Sequence, residues 1–433
     1  MLLSQIPAYY RLRRDVLKSK SPKSAFLIAG NIEMYKTADQ HFEFRQDSDL
    51  YYLTGFTEPD AFLVMNAGVS TLFVRERDAL MELWNGERYG VDGAKKVFGV
   101  DAAYPIKELK QRLPDLLKGA DAVYYRMGIH KCYDDLVLEA LESYRRSQGR
   151  SGSGLLAIKD TAELVHEMRV IKSDDEIKLM RKASQITAQA HIEAMKQTKP
   201  GMMEYEVQAI LEYVYRKSGC ERNAYYPIVA GGKNATCLHY HFNNEELKEG
   251  SLLLIDSAGE CGYYASDITR TFPVGRKFST VQARIYDLVL EANKKAIAVI
   301  KPGVRYEEVH NTATKVLAQG LIDLGILKGS VEECIKTAEI KKYYPHGTSH
   351  LLGMDVHDVG LYRIHDQSRV LEPGMCFTVE PGLYFQPGDQ GYPDEYRGIG
   401  IRIEDDIVVT QDGCEVLTKD APKERAEIEK LRH

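Results

Sequence analysis

At 433 residues the chain is long enough for two domains or three small ones. Its 44% hydrophobic and 28% charged residues are ordinary for a globular protein and exclude a collagen-like, mucin-like or wholly disordered chain. The 57 Lys and Arg against 63 Asp and Glu leave a formal net charge of −6, which argues against a nucleic-acid binder with its basic face.

The chain opens MLLSQIPAYYRLRRDVLK, with charges after a very short apolar stretch, the reverse of a secretory signal. No apolar run approaches the roughly 20 residues that span a bilayer. A cytoplasmic location with no membrane partner is the expectation. AFLIAG (25–30), AFLVMN (61–66) and STLFVRE (70–76) predict buried strands. The polar and aromatic segment HFEFRQDSDLYYLTGFTEPD (41–60) lies between them, and its Tyr51, Tyr52 and Phe56, with Trp84, read equally as exposed contact surface or as the unit's own core. QRLPDLLKGA and CYDDLVLEALESYRRS predict helices. RSQGRSGSG (146–154) has the composition of a flexible loop.

A new unit begins near Ile171. Ser173-Asp174-Asp175-Glu176 has capping-box form and predicts a helix running to about Gln197, stopped by Lys199-Pro200-Gly201. Ser279-x-x-Gln282 opens a second long helix that ends at Lys301-Pro302-Gly303. The stretches KPGMMEYEVQAILEYVYRKSG and KPGVRYEEVHNTATKVLAQG align at a constant offset of 102, pairing Pro200 with Pro302, Gly201 with Gly303, Glu206 with Glu308 and Val207 with Val309. The shared order of helix, KPG and helix predicts an internal duplication. Each copy is followed by β-rich sequence carrying two acidic residues. Two related halves facing each other would bring two carboxylate-bearing hairpins to one centre. The seven cysteines are odd in number, widely spaced and without CxxC, so free buried thiols are expected.

Asp256 ends the buried run LLLI. Asp267 follows eleven residues later, with Gly259 and Gly262 between them to allow a turn. Glu380 follows CFTV. In IGIRIEDD, Ile399, Ile401 and Ile403 share one strand face while Gly400, Arg402 and Glu404 share the other. Arg402 can therefore neutralise and orient carboxylates, and Gly400 marks a close approach to the backbone. His346, His350 and His357 cluster in one Gly-rich stretch; His239 and His241 lie in CLHYHF. Four carboxylates and an imidazole suit Mn²⁺, Co²⁺ or Fe²⁺ better than a thiolate zinc site does. Two such ions roughly 3.5–4 Å apart can share a hydroxide and polarise a carbonyl.

The order Asp256, Asp267, His350, Glu380, Glu404, set in HGTSHLLGMDVHDVG, TVEPGLY and GIGIRIEDDIVV, resembles the pita-bread metallopeptidase family, and within it the bacterial aminopeptidase P branch. FEFRQDSDLYYLTGFTEPDAFLV resembles the N-terminal domain of that branch, so the likeness covers nearly the whole chain. It separates the chain from methionine aminopeptidases, which lack such a domain, and from creatinases, which lack the metal ligands. The resemblance implies an α/β N-terminal domain (1–170) followed by an α+β pita-bread catalytic domain (171–433) with an internal pseudo-two-fold repeat. It implies those five residues as ligands of two divalent ions, with Asp267 and Glu404 bridging. Mn²⁺ is the usual activator, and Co²⁺, Fe²⁺ or Zn²⁺ are alternatives.

The implied reaction cleaves the bond before a proline at position two of a peptide, through a metal-bridging hydroxide. Glu380 would move the proton, His357 would stabilise the tetrahedral intermediate, and His239 would contact substrate near the scissile bond. His346 would line the site and Arg402 would orient its neighbours. Dimers or tetramers of the chain are implied as well. Gln367 stands where the branch often has Arg, with Arg363 or Arg369 as substitutes for downstream substrate contact. Two other readings are a prolidase acting on Xaa-Pro dipeptides and a non-catalytic binding module on the same fold.

Overall fold

Alternating runs of buried β-branched and aromatic residues build the first unit. A computed structural model of the chain describes residues 6–149 and 157–432. Two units separate, Met1–Met168 and Arg169–His433. In the first, strands β1 (Ser24–Ala29), β2 (Phe62–Asn66), β3 (Val69–Val74), β4 (Ala102–Pro105), β5 (Ala122–Tyr125) and β6 (Ala157–Lys159) form one mixed sheet in the order β4-β3-β2-β1-β5-β6. The helices are α1 (Ile6–Lys20), α2 (Ser48–Thr54), α3 (Ala79–Asn85), α4 (Gly90–Phe98), α5 (Leu109–Leu116) and α6 (Lys131–Ser147), and α7 (Ala162–Val170) ends in the first two residues of the second unit. Leu27, Val64 and Phe73 of the sheet pack on Leu113, Val137 and Leu141 of α5 and α6. The central strands are thus buried on both faces, and their sequences read as unbroken apolar runs.

The aromatic segment divides between the two readings. The Asp47 side chain caps α2 by accepting from Leu50 N, and Tyr52 and Phe56 are buried. Gly55 ends the helix at φ 72°, where a Cβ would meet the Tyr10 ring. Helix formation turns these rings inward and removes them from the surface. Trp84 is 77% exposed, on a helix with no buried residue. Arg146 and Ser147 belong to the last turn of α6, while residues 150–154 of the expected loop, like residues 1–5 of the chain start, lie outside the described residues.

The second unit starts from two matching helix pairs. α8 (Asp174–Gln197) is opened by the Ser173–Glu176 capping box and followed by α9 (Glu204–Lys217). α10 (Thr280–Ala298) is opened by the Ser279–Gln282 box and followed by α11 (Glu307–Asp323); α12 (Val331–Lys336) and α13 (Arg425–Leu431) are short. The KPG turns are equivalent in detail. Gly201 and Gly303 sit at φ 86° and 88°, a conformation that favours glycine. Gly201 N donates to Leu247 O and Leu247 N to Met202 O; Gly303 N donates to Leu371 O and Leu371 N to Val304 O. Each half therefore ties its turn to the strand region that follows.

Those regions hold β7 (Arg222–Asn223), β8 (Ile228–Gly231), β9 (Leu252–Asp256), β10 (Gly259–Cys261), β11 (Tyr264–Ala265) and β12 (Thr269–Pro273) in the first half. The second half holds β13 (Arg363–Ile364), β14 (Gln367–Ser368), β15 (Cys376–Val379), β16 (Gly382–Tyr384), β17 (Gly400–Arg402), β18 (Asp405–Val409) and β19 (Cys414–Val416). β9 pairs between β8 and β12, and β18 between β15 and β19. The two halves meet where Glu404 N donates to Thr269 O at 3.1 Å and Thr271 Oγ1 donates to Arg402 O at 3.1 Å. Ile399, Ile401 and Ile403 enter the core with Leu253, Ile255 and Tyr286. That leaves Arg402 and Glu404 on the opposite face. A Cβ on Gly400 would lie 2.1 Å from Ala235 O, the close approach read from the sequence.

The expectation of free thiols fails at one pair. Cys220 and Cys261 form a disulfide, because the turn after α9 lays Cys220 beside the end of β10, 41 residues later in sequence. Cys132 and Cys237 are exposed thiols, Cys334 and Cys376 are buried, and Cys414 lies between.

Candidate metal centre

Strand ends bring the acidic residues together. Asp256 closes β9 opposite Thr269 of β12, and Asp267 stands two residues before that pair. The insertion β10–β11 fills the gap between them, so the two Asp residues flank one edge of the paired strands. The Tyr225 hydroxyl lies 2.5 Å from Asp256 Oδ1 and 2.6 Å from Asp267 Oδ1. It has one proton for two carboxylates, and the second needs a proton or a cation of its own. Asp406 accepts from Asp267 N with both oxygens at 3.1 Å, and also from Ser266 and Ser184, which fixes the Asp267 backbone.

From the second half, Glu380 follows β15 with its N–H held by Thr348 O at 2.7 Å, and Glu404 lies between β17 and β18. Buried Arg402 donates from Nη2 to Asp256 Oδ2 at 2.6 Å, from Nε to Thr269 Oγ1 at 3.1 Å and from Nη1 to the Tyr384 hydroxyl at 2.9 Å. Its ion pair is thus with Asp256 of the other half, and it reaches Glu404 through Thr269, which donates to Glu404 Oε2 at 2.5 Å. The Tyr384 hydroxyl lies 2.9 Å from His346 Nε2, while His346 Nδ1 faces Gly347 O at 2.7 Å. A continuous line of hydrogen bonds runs Asp256, Arg402, Tyr384, His346.

His350 donates from Nδ1 to Leu351 O at 3.1 Å, which leaves Nε2 aimed at the acids. That nitrogen is 3.3 Å from Asp267 Oδ2, 3.6 Å from Glu380 Oε1 and 3.9 Å from Glu404 Oε1. Asp267, His350 and Glu404 each offer one ligand atom within 4.8 Å of the others. Asp256 and Glu380 border this trio and are not part of it. Asp256, Asp267, His350, Glu380 and Glu404 line one cavity of about 540 Å³ together with His239, His346, His357 and Arg402. The His357 ring packs at 4.4 Å on that of His350. Gln367 lies outside this wall and accepts from Arg305; Arg363 and Arg369 are not on the wall either.

Crowding of buried acids governs the electrostatics. Burial, with Asp267 and Glu380 nearby, raises Glu404 well above the usual carboxylate range. Burial pushes Glu380 up to about 7 and raises Asp256 against the pull of Arg402. Burial works to lower His350, yet Asp267 and Glu380 lift it to about 9. Burial and Arg402 lower His346 to about 3, and burial and His350 lower His357. Such a cluster is short of positive charge. Its oxygen and imidazole donors, with no thiolate on the wall, fit a hard or borderline divalent cation. Sequence reasoning missed Tyr225, Tyr384 and Thr269. The Tyr225-Tyr226-Pro227 step before a strand is their one local signal, and their partners lie 18 to 135 residues away.

Residues 178–411 match the model of metallopeptidase family M24, and residues 9–124 match that of the aminopeptidase P N-terminal domain. The chain is 43% identical to the Xaa-Pro aminopeptidase of Escherichia coli over 98% of this chain and 97% of that one. It superposes on Pseudomonas aeruginosa aminopeptidase PepP with a TM-score of 0.96 at 44% identity, covering 98% of each chain. Against zinc-substituted E. coli aminopeptidase P in complex with product, the TM-score is 0.95 at 43% identity, again over 98% of each chain.

Proposed function

The chain belongs to metallopeptidase family M24, and from that membership we propose that it is a metal-dependent Xaa-Pro aminopeptidase, hydrolysing the bond before a proline at position two of a peptide. The observation that carries this is the convergence of Asp267, His350 and Glu404 from both halves of the second unit, flanked by Asp256 and Glu380, on one open cavity. These five residues would hold two divalent ions, with manganese the activating metal. When bound, the ions supply Lewis acidity that polarises the scissile carbonyl and activates water.

The chain's own residues do the rest. Glu380 stands on the cavity wall beside His350, where it would take a proton from the attacking water and return it to the leaving proline nitrogen. His357 faces the cavity and donates to the oxygen that gains charge; His239 contacts the substrate backbone beside it. The line Arg402, Tyr384, His346 holds Asp256 in place and fixes the His346 tautomer. The unit spanning 1–170 contributes specificity and assembly, and the chain forms a homo-oligomer. Its place is the cytoplasm.

The test is hydrolysis of matched Xaa-Pro-Yaa, Xaa-Ala-Yaa and Xaa-Pro peptides after chelation and reconstitution with single metals. Release of residue one from Xaa-Pro-Yaa alone, restored by Mn²⁺, is expected. Cleavage confined to the dipeptide would make the chain a prolidase, and no cleavage with any metal would make it a binding module.

A further inference from the structure

Among the described residues the His357 ring has no hydrogen-bond partner; packing on His350 is its one ring contact. Its aim is therefore set by the backbone at 357–358. That backbone belongs to a stretch without helix or strand, 351–360, in which His357 faces out into the cavity and Asp358 faces in. The inward side chain is buried and doubly paired. Asp358 Oδ1 accepts from Arg169 Nη2 at 2.6 Å, and Oδ2 accepts from Lys172 Nζ at 2.9 Å. The side chains of Asp358, Lys172 and Arg169 are 1%, 1% and 3% exposed. Arg169 Nη2 also reaches Asp355 Oδ2 at 2.6 Å, so one guanidinium holds the loop at two points. Asp358 N donates to Leu351 O at 2.8 Å and closes the loop on the residue after His350.

The fit is tight on every side. A Cβ on Gly353 would lie 2.2 Å from Asp358 Oδ2 and 2.8 Å from Lys172 Cε, and one on Gly360 would lie 2.4 Å from Val170. Lys172 is itself anchored, its N–H donating to Gly374 O at 2.8 Å. Burial alone would raise Asp358, but Lys172 and Arg169 hold it below the usual carboxylate range, so it is a fixed negative charge. Two buried cations around one buried carboxylate are a poor device for stability compared with apolar packing.

We propose that Asp358, clamped by Lys172 and Arg169, is a positioning residue that fixes the loop from His350 to His357 and so aims His357 at the substrate. This rests on the reading of His357 as the donor to the reacting carbonyl oxygen. Arg169 and Lys172 are among the first residues of the second unit, so the segment by which the chain enters that unit is part of the clamp. Displacing a donor by about an ångström costs on the order of a hundredfold in rate.

A double-mutant cycle on the full-length, manganese-loaded protein tests it, with kcat, KM, bound metal and Tm read for wild type, His357→Ala, Asp358→Asn and the double variant. Asp358→Asn is expected to lower kcat on the order of ten- to a hundredfold with KM and bound metal unchanged. In the His357→Ala background the same change is expected to leave kcat where it is. An equal loss in both backgrounds would make the clamp a general support of the fold and overturn the proposal, as would loss of metal in step with activity. Wild-type kcat in His357→Ala would remove the donor role instead, a different failure. If Asp358→Asn does not fold, Lys172→Met replaces it in the same cycle, with the same outcomes deciding.

Discussion

Asp267 offers one oxygen to the donor trio, while its backbone is held by Asp406. Side-chain function and local fold are thus carried by different groups. Asp267→Ala should abolish metal-dependent hydrolysis and leave circular dichroism unchanged; wild-type turnover at saturating Mn²⁺ would rule out a metal ligand at this position. His191 makes a second point at this scale. It is fully buried, faces Ser257 O from Nε2 at 3.0 Å, and has no partner for Nδ1. Burial lowers it to about 4, whereas an unfolded histidine titrates near 6.5. Between these values the unfolded chain binds more protons. Its contribution to stability is therefore fully present above pH 6.5 and is lost as pH falls toward 4, up to about 3 kcal/mol. The urea midpoint should fall from pH 7 to pH 5, and fall less in His191→Gln.

Strands and turns decide which residues can meet. β10–β11 is an insertion between Asp256 and Asp267, and it is fastened to α9 by Cys220–Cys261. Gly259 sits against the Cys220 sulfur, where a Cβ would be 2.9 Å away. Closing a loop of 41 residues in the unfolded chain favours the folded state by about 2–4 kcal/mol. Cys220→Ser should lower the unfolding free energy by about that amount. Under denaturing, non-reducing conditions, five of the seven cysteines should react with a thiol reagent; seven reactive thiols would mean that the bond does not form.

At the level of the whole molecule, α3 stands out. Leu80, Leu83 and Trp84 are 66%, 79% and 77% exposed on a helix that buries nothing in its own unit. Large apolar side chains grouped in this way suit the homo-oligomer proposed above. Sedimentation should show at least a dimer, and Leu83→Glu with Trp84→Glu should shift it toward monomer without lowering the Tm. A monomeric wild type with full activity on Xaa-Pro-Yaa peptides would remove the assembly role of this helix.

What the sequence determined by itself is what depends on near neighbours along the chain. The Ser173 and Ser279 capping boxes, the paired KPG turns and the alternation of Ile399, Ile401 and Ile403 with Arg402 and Glu404 follow from helix and strand periods. The acidic residues and histidines stood out at strand ends and in a Gly-rich loop, but their reading as one ligand set came from the family resemblance. Tertiary structure alone decided the partners. Arg402 pairs with Asp256, 146 residues away, and Lys172 with Asp358, 186 residues away. Tyr52 and Phe56 turned inward, and two cysteines met. Contacts of that kind depend on how helices and sheets pack in three dimensions, which no period in the sequence encodes.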